Sequence, residues 1–141
     1  MSELALYPLN EEQKMIRDAA RDFAQNEIVP IAAEFDESGE FPHATMKKMG
    51  EMGFIAPELP EKFGGQGLGC LAAGVIHEEI ARADLSISYI NLLASLNGQI
   101  LSQHGRPDVV RPWLARLTGG EALLAIALTE HDGVDRRRVV E

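Results

Sequence analysis

The sequence predicts an all-α domain followed by one isolated β-strand near its C-terminal end. Apolar residues recur at helical spacing in five runs, and each run is bounded by a cap or a breaker. The stretch "EALLAIALTE", residues 121–130, is different. It follows paired glycines, is compactly apolar, and reads as a strand with no second strand to pair with. A lone strand leaves its amides and carbonyls in need of partners. It must therefore pair with a copy of itself, pack back on the helices, or stay without order.

The first helix opens at Asn10-Glu11-Glu12-Gln13, a capping box in which Asn10 and Gln13 satisfy each other's amides. Ile16, Ala20, Phe23, Glu27 and Ile31 then mark one face, with Glu27 at its edge. Pro30 should kink this helix or end it near Glu34. Phe41-Pro42 begins a second, short helix with Met46, Met49 and Met52 along one edge, closed by Gly53. Such an edge is usually adaptable core, and otherwise a docking surface. A proline- and glycine-rich loop, "APELPEKFGGQGLG", leads to a third helix from Cys70 to Ala83.

The fourth helix, Leu85 to His104, is almost wholly uncharged. A helix apolar all round is expected to be buried all round, so this one should be central. Val109, Val110, Trp113, Leu114 and Leu117 face inward on a fifth helix, which Gly119-Gly120 stops.

With 141 residues and a hydrophobic share of 45%, the chain resembles an ordinary globular domain able to bury a core. Its net charge of −9 argues against a nucleic-acid footprint, which needs a basic face. The single Cys70 admits no internal disulfide and suits a reducing, cytoplasmic compartment. The N-terminus lacks the pattern of a secretory signal, and no stretch approaches the roughly 18 apolar residues of a membrane span.

Few residues announce chemistry. "FGGQGLG" lacks the preceding strand and the sixth-place glycine of a dinucleotide fingerprint, so it reads as a tight turn. His77-Glu78-Glu79 lacks the second histidine of a zinc site, and His43, His104 and His131 have no ligand-spaced neighbours, so no metal is expected. Cys70 has no His or Asn nearby in sequence and reads as a small buried residue; Glu78-Glu79 and Asp36-Glu37 read as solvated. On the central helix Ser88, Leu92 and Ser95 share one line and Tyr89, Leu93 and Leu96 another. On spacing alone that face is core or the wall of an acyl pocket.

Taken in order, "LNEEQKMIRDAARDFAQNEIVPIAAEFDESGEFP", "MGEMGFIAPELPEKFGGQGLG", "EEIARAD" and "ALTE" resemble the successive landmarks of the acyl-CoA dehydrogenase flavoproteins over Leu9 to Glu130. The resemblance implies that residues 1–120 form the helical N-terminal domain of that type. Residues 121–130 would be the first strand of a middle β-domain, and residues 131–141 a divergent tail. It implies FAD as cofactor, an acyl-CoA thioester as substrate and an electron-transferring flavoprotein as partner, often in a homo-oligomer. In that chemistry a carboxylate removes the α-proton while hydride leaves the β-carbon for the flavin. The carboxylate of the family lies in its C-terminal domain, so no catalytic residue is assigned here.

Carried over by position, Ile126, Ala127, Leu128 and Thr129 match the approach to the flavin pyrimidine edge. Ser88, Tyr89, Leu92, Leu93 and Leu96 match positions that wall the acyl chain. The pattern then departs: His131 stands where the family has proline, and Gly133-Val134-Asp135 arrives one residue early without the serine. This abrupt change reads as a truncation or frameshift. The chain is thus expected to be the N-terminal part of an FAD-dependent acyl-CoA dehydrogenase, inactive in isolation. The other reading is a non-catalytic helical module that binds electron-transferring flavoprotein or self-associates.

Overall fold

A computed structural model describes residues 8–127. The helices are α1 (Glu11–Phe23), α2 (Val29–Ser38), α3 (His43–Glu51), α4 (Cys70–Ala83), α5 (Leu85–His104) and α6 (Pro107–Thr118). A π-helical turn, Ala24–Ile28, joins α1 to α2, and a 3₁₀ turn, Glu61–Phe63, interrupts the long loop after α3. The five expected helices are all present, the first divided in two.

The capping box forms as expected. Asn10 Oδ1 accepts from the Gln13 amide at 2.8 Å, and the Asn10 amide donates to Gln13 Oε1 at 3.1 Å. Pro30 neither kinks α1 directly nor ends it near Glu34; the helix continues to Ser38, where Gly39 takes φ +68°. In an unbroken α-helix the Pro30 ring would meet the carbonyl of residue 26. The π turn shifts the ladder by one residue, with the Val29 amide donating to Ala24 O, and Pro30 enters a fresh first turn. Asn26 Nδ2 adds a bond to Asp22 O at 2.8 Å where the register changes.

Helices α1, α4, α5 and α6 pack in that order, each against the next. The core between them includes Phe23, Ile28, Met49, Ile55, Leu59, Ile76, Ile80, Leu114 and Leu117. Of the methionine edge, Met46 and Met49 are core and only Met52 is exposed, so it is no continuous docking surface. Glu79 is not solvated: it lies 5% exposed beside Ile76 and Ile80 and pairs with Arg21 of α1. Cys70, expected to be buried, is exposed because it is the first residue of α4, at the rim of the loop.

The glycine loop folds onto itself. The amides of Gln66 and Leu68 both donate to Pro57 O at 3.1 Å, and that of Gly67 donates to Leu59 O at 2.9 Å. Those donors face the protein, as a tight turn requires and a phosphate cradle does not.

Burial of α5 on every side does not occur among the described residues. Neighbouring helices cover Ile87, Ser88, Ile90, Asn91, Ala94, Asn97 and Gly98, whereas Leu85, Tyr89, Leu92, Leu96 and Ile100 remain exposed. The hydrophobicity of α5 was legible, but which of its faces the neighbouring helices cover was not.

Beyond α6 the chain turns sharply at Gly119-Gly120. A Cβ on Gly50 would collide with the carbonyl carbon of Gly119, and one on Gly120, at φ +69°, with Met46 O. Backbone therefore meets backbone at this corner. Residues 122–127 follow without a strand, since no neighbouring strand exists among the described residues to form a ladder. They still alternate: Ala122, Leu124 and Ile126 are half-buried, while Leu123, Ala125 and Ala127 are exposed.

A candidate acyl and flavin surface on α5

Asp84 starts α5 by accepting the Ile87 amide at 2.7 Å. The twenty residues that follow contain no Asp, Glu, Lys or Arg. Leu85, Tyr89, Leu92, Leu96 and Ile100 are spaced by three or four and form a single open stripe, roughly 22 Å long at the helical rise. A contiguous apolar stripe of this kind marks a surface that something covers.

The structure divides the predicted acyl-wall residues. Tyr89, Leu92 and Leu96 stand together on the stripe, exposed by 52%, 46% and 45%. Leu93 is half-buried at its margin. Ser88 points into the core at 1% exposure, and its Oγ donates to Leu85 O at 2.6 Å, so its hydroxyl is spent on its own helix. Of the predicted flavin-edge residues, Ile126 is half-buried and Ala127 exposed, while Leu128 and Thr129 lie outside the described residues.

Two residues of α5 escaped the sequence reading. Asn91 Oδ1 accepts the amide of Ala56 at 3.2 Å, where Ala56 holds an unusual φ of +45°. Asn97 Nδ2 donates to Leu124 O at 2.9 Å. Both asparagines are buried, and each ties α5 to a segment distant in sequence. A polar amide in an otherwise apolar helix was the available clue.

A cleft of about 280 Å³ lies elsewhere, between α2 and the start of α5, lined by Phe35, Asp36, Phe41, Asp84 and Ile87 among others. It contains none of the predicted acyl residues. At the start of α6, the exposed Arg106 and Asp108 hold each other ionised: their hydrogen bond lowers the Asp108 pKa and raises that of Arg106. Among the described residues no cluster of three or more His, Cys, Asp or Glu could hold a metal ion. No helix among them is long and apolar enough to cross a membrane.

Among the described residues, no amide of residues 122–127 donates to another backbone group, so this segment runs past α5 with open backbone donors. Leu124, packed on the core, sets the segment alongside α5.

These features define a helical domain with an apolar, uncharged helix face left open among the described residues and an open backbone edge beside it. The chain belongs to the acyl-CoA dehydrogenase family, residues 10–121 matching the family model described as "Acyl-CoA dehydrogenase, N-terminal domain". The mouse mitochondrial short-chain specific acyl-CoA dehydrogenase is 38% identical over 126 residues, covering 86% of this chain and 30% of the relative. The crystal structure of an acyl-CoA dehydrogenase from Geobacillus kaustophilus superposes with a TM-score of 0.77 at 30% identity, covering 89% of this chain and 33% of that one. A chain in a structure described as the electron transferring flavoprotein of Acidaminococcus fermentans superposes at 0.80, also with 30% identity and the same coverage. The chain thus spans about 30% of the length of the curated relatives it matches.

Proposed function

We propose that this chain provides the helical N-terminal part of an FAD-dependent acyl-CoA dehydrogenase that introduces an α,β double bond into an acyl-CoA thioester. The observation that carries this reading is the open stripe of Tyr89, Leu92 and Leu96 on an uncharged helix beside the backbone edge of residues 122–127.

In this reading Tyr89, Leu92, Leu93 and Leu96 form one wall of the acyl pocket and exclude water from the chain of the substrate. Ser88 acts from behind that wall, its buried position fixing the turn that bears Tyr89. Ile126, Ala127, Leu128 and Thr129 offer backbone groups, and Thr129 its hydroxyl, to the pyrimidine side of the flavin. FAD, when bound, supplies the hydride acceptor. The stripe bears no carboxylate, so in this reading the α-proton goes to a base contributed from outside α5, the carboxylate of the family standing in its C-terminal domain. The electron-transferring flavoprotein is the proposed oxidant of the reduced cofactor, and the reducing conditions that suit the exposed Cys70 fit a cytoplasmic setting.

The exposed stripe also favours a second reading, a non-catalytic module that self-associates or binds electron-transferring flavoprotein. An absorption titration with FAD separates the two. A bound flavin band supports the first reading. A colourless chain that leaves FAD free, and that sediments as a dimer unless Leu92 is made polar, supports the second.

A further inference from the structure

We infer that Asn97 is a positioning residue, clamping the segment that approaches the flavin to the same helix that carries the acyl wall. This rests on the function proposed above. Among the described residues, the bond from Asn97 Nδ2 to Leu124 O at 2.9 Å is the one hydrogen bond that holds residues 122–127 to the helical body.

The geometry gives this bond leverage. Asn97 is buried to 7% exposure and Leu124 is half-buried, so the bond between them is partly shielded from water. Leu96, one residue earlier, projects about 100° away around the helix and belongs to the open stripe. One turn of α5 therefore presents the proposed substrate wall on one side and grips the exit segment on another. The grip is reinforced at two points. The backbone contact of Gly50 with Gly119 fixes where the segment begins, and the Leu124 side chain packs on the core. Ile126 and Ala127 follow Leu124 by two and three residues, so both lie within about 11 Å of the clamp along the chain. Any tilt of the 124–125 peptide moves the proposed flavin edge relative to Tyr89, Leu92 and Leu96. Asn97 thereby couples the placement of the cofactor to that of the acyl chain without touching either.

The test uses the 141-residue chain with Asn97→Asp, which keeps the shape but cannot donate when ionised, and Asn97→Ala, which removes the donor without adding charge. Amide exchange at residues 122–127, the urea midpoint and FAD affinity are measured together. Asn91→Leu serves as the control for a buried asparagine that anchors a different loop. The Asn97 variants should remain folded, exchange at 122–127 should accelerate at least tenfold, and FAD affinity should fall three- to tenfold. Asn91→Leu lowers the urea midpoint and leaves FAD affinity unchanged. Unaltered exchange at 122–127 in both Asn97 variants overturns the clamp. Faster exchange with unchanged FAD affinity overturns its link to the cofactor. If the unaltered chain binds no FAD at all, the proposed contribution of residues 126–129 to flavin binding by this chain fails. That outcome is recognisable separately, because the exchange contrast needs no flavin.

Discussion

Arg21 and Glu79 join α1 to α4 through two parallel hydrogen bonds, Nε to Oε2 at 3.0 Å and Nη2 to Oε1 at 2.8 Å. The carboxylate is buried while the guanidinium reaches water, so the pair is asymmetric. Removing the arginine leaves a charge in the interior, whereas replacing both partners with apolar residues removes the desolvation cost as well. Arg21→Met should destabilise the domain by about 1–3 kcal/mol, the half-exposed arginine reducing the effect below that of a fully buried pair. The double variant Arg21→Met/Glu79→Leu should recover much of the loss. Urea unfolding measures both, and a single variant within experimental error of the parent would show the pair to be idle.

Where Gly50 meets Gly119 and Gly120 meets Met46, backbone lies against backbone, so even a methyl group on Gly50 or Gly120 is excluded. Gly50→Ala should cost about 1–3 kcal/mol, as overpacking does. Gly74, in the middle of α4, has open space where a Cβ would stand, with no atom within 4 Å. Gly74→Ala should therefore stabilise by about 0.5–1 kcal/mol. Opposite signs from the same substitution in one domain are checked by the same unfolding curves.

At the start of α6 the Asp108 carboxyl titrates below the usual carboxylate range because Arg106 hydrogen-bonds its ionised form. A depressed folded value gives stability that is present above the unfolded pKa and lost as pH falls through the folded one. Both groups are fully exposed, so the contribution is small. Carbon-13 NMR titration should find the Asp108 midpoint low, and Arg106→Ala should return it towards the ordinary range.

The two faces of α5 should answer differently to charge. Leu92→Asp and Leu96→Asp, on the open stripe, should change stability by no more than about 0.5 kcal/mol. Ile87→Asp and Ile90→Asp, on the covered face, should prevent folding because an unpaired carboxylate enters the core. Circular dichroism distinguishes these outcomes directly.

Much of this was legible in local pattern. The Asn10 cap, the Gly53 stop and the five helical runs follow from periodicity and from residues that act on their immediate neighbours. The π turn before Pro30 was not, because the sequence shows that a helix must yield there but not how. The partners of Glu79, Asn91 and Asn97 are 58, 35 and 27 residues away, beyond any local signal. Ser88 illustrates the limit at the candidate site. It shares a helical run with Tyr89, yet one residue's rotation turns it from the open stripe into the core.

Whether the open face of α5 walls the acyl chain is tested most directly by a chimera. Residues 10–127 would replace the matching part of the mouse short-chain relative, and kcat/KM would be measured across acyl-CoA lengths with Leu92 intact and as Leu92→Trp. The expected result is an FAD-loaded enzyme whose activity on the longer chains falls at least tenfold on Leu92→Trp, with flavin content unchanged. A folded, FAD-loaded chimera whose chain-length profile ignores Leu92→Trp would contradict the acyl-wall role.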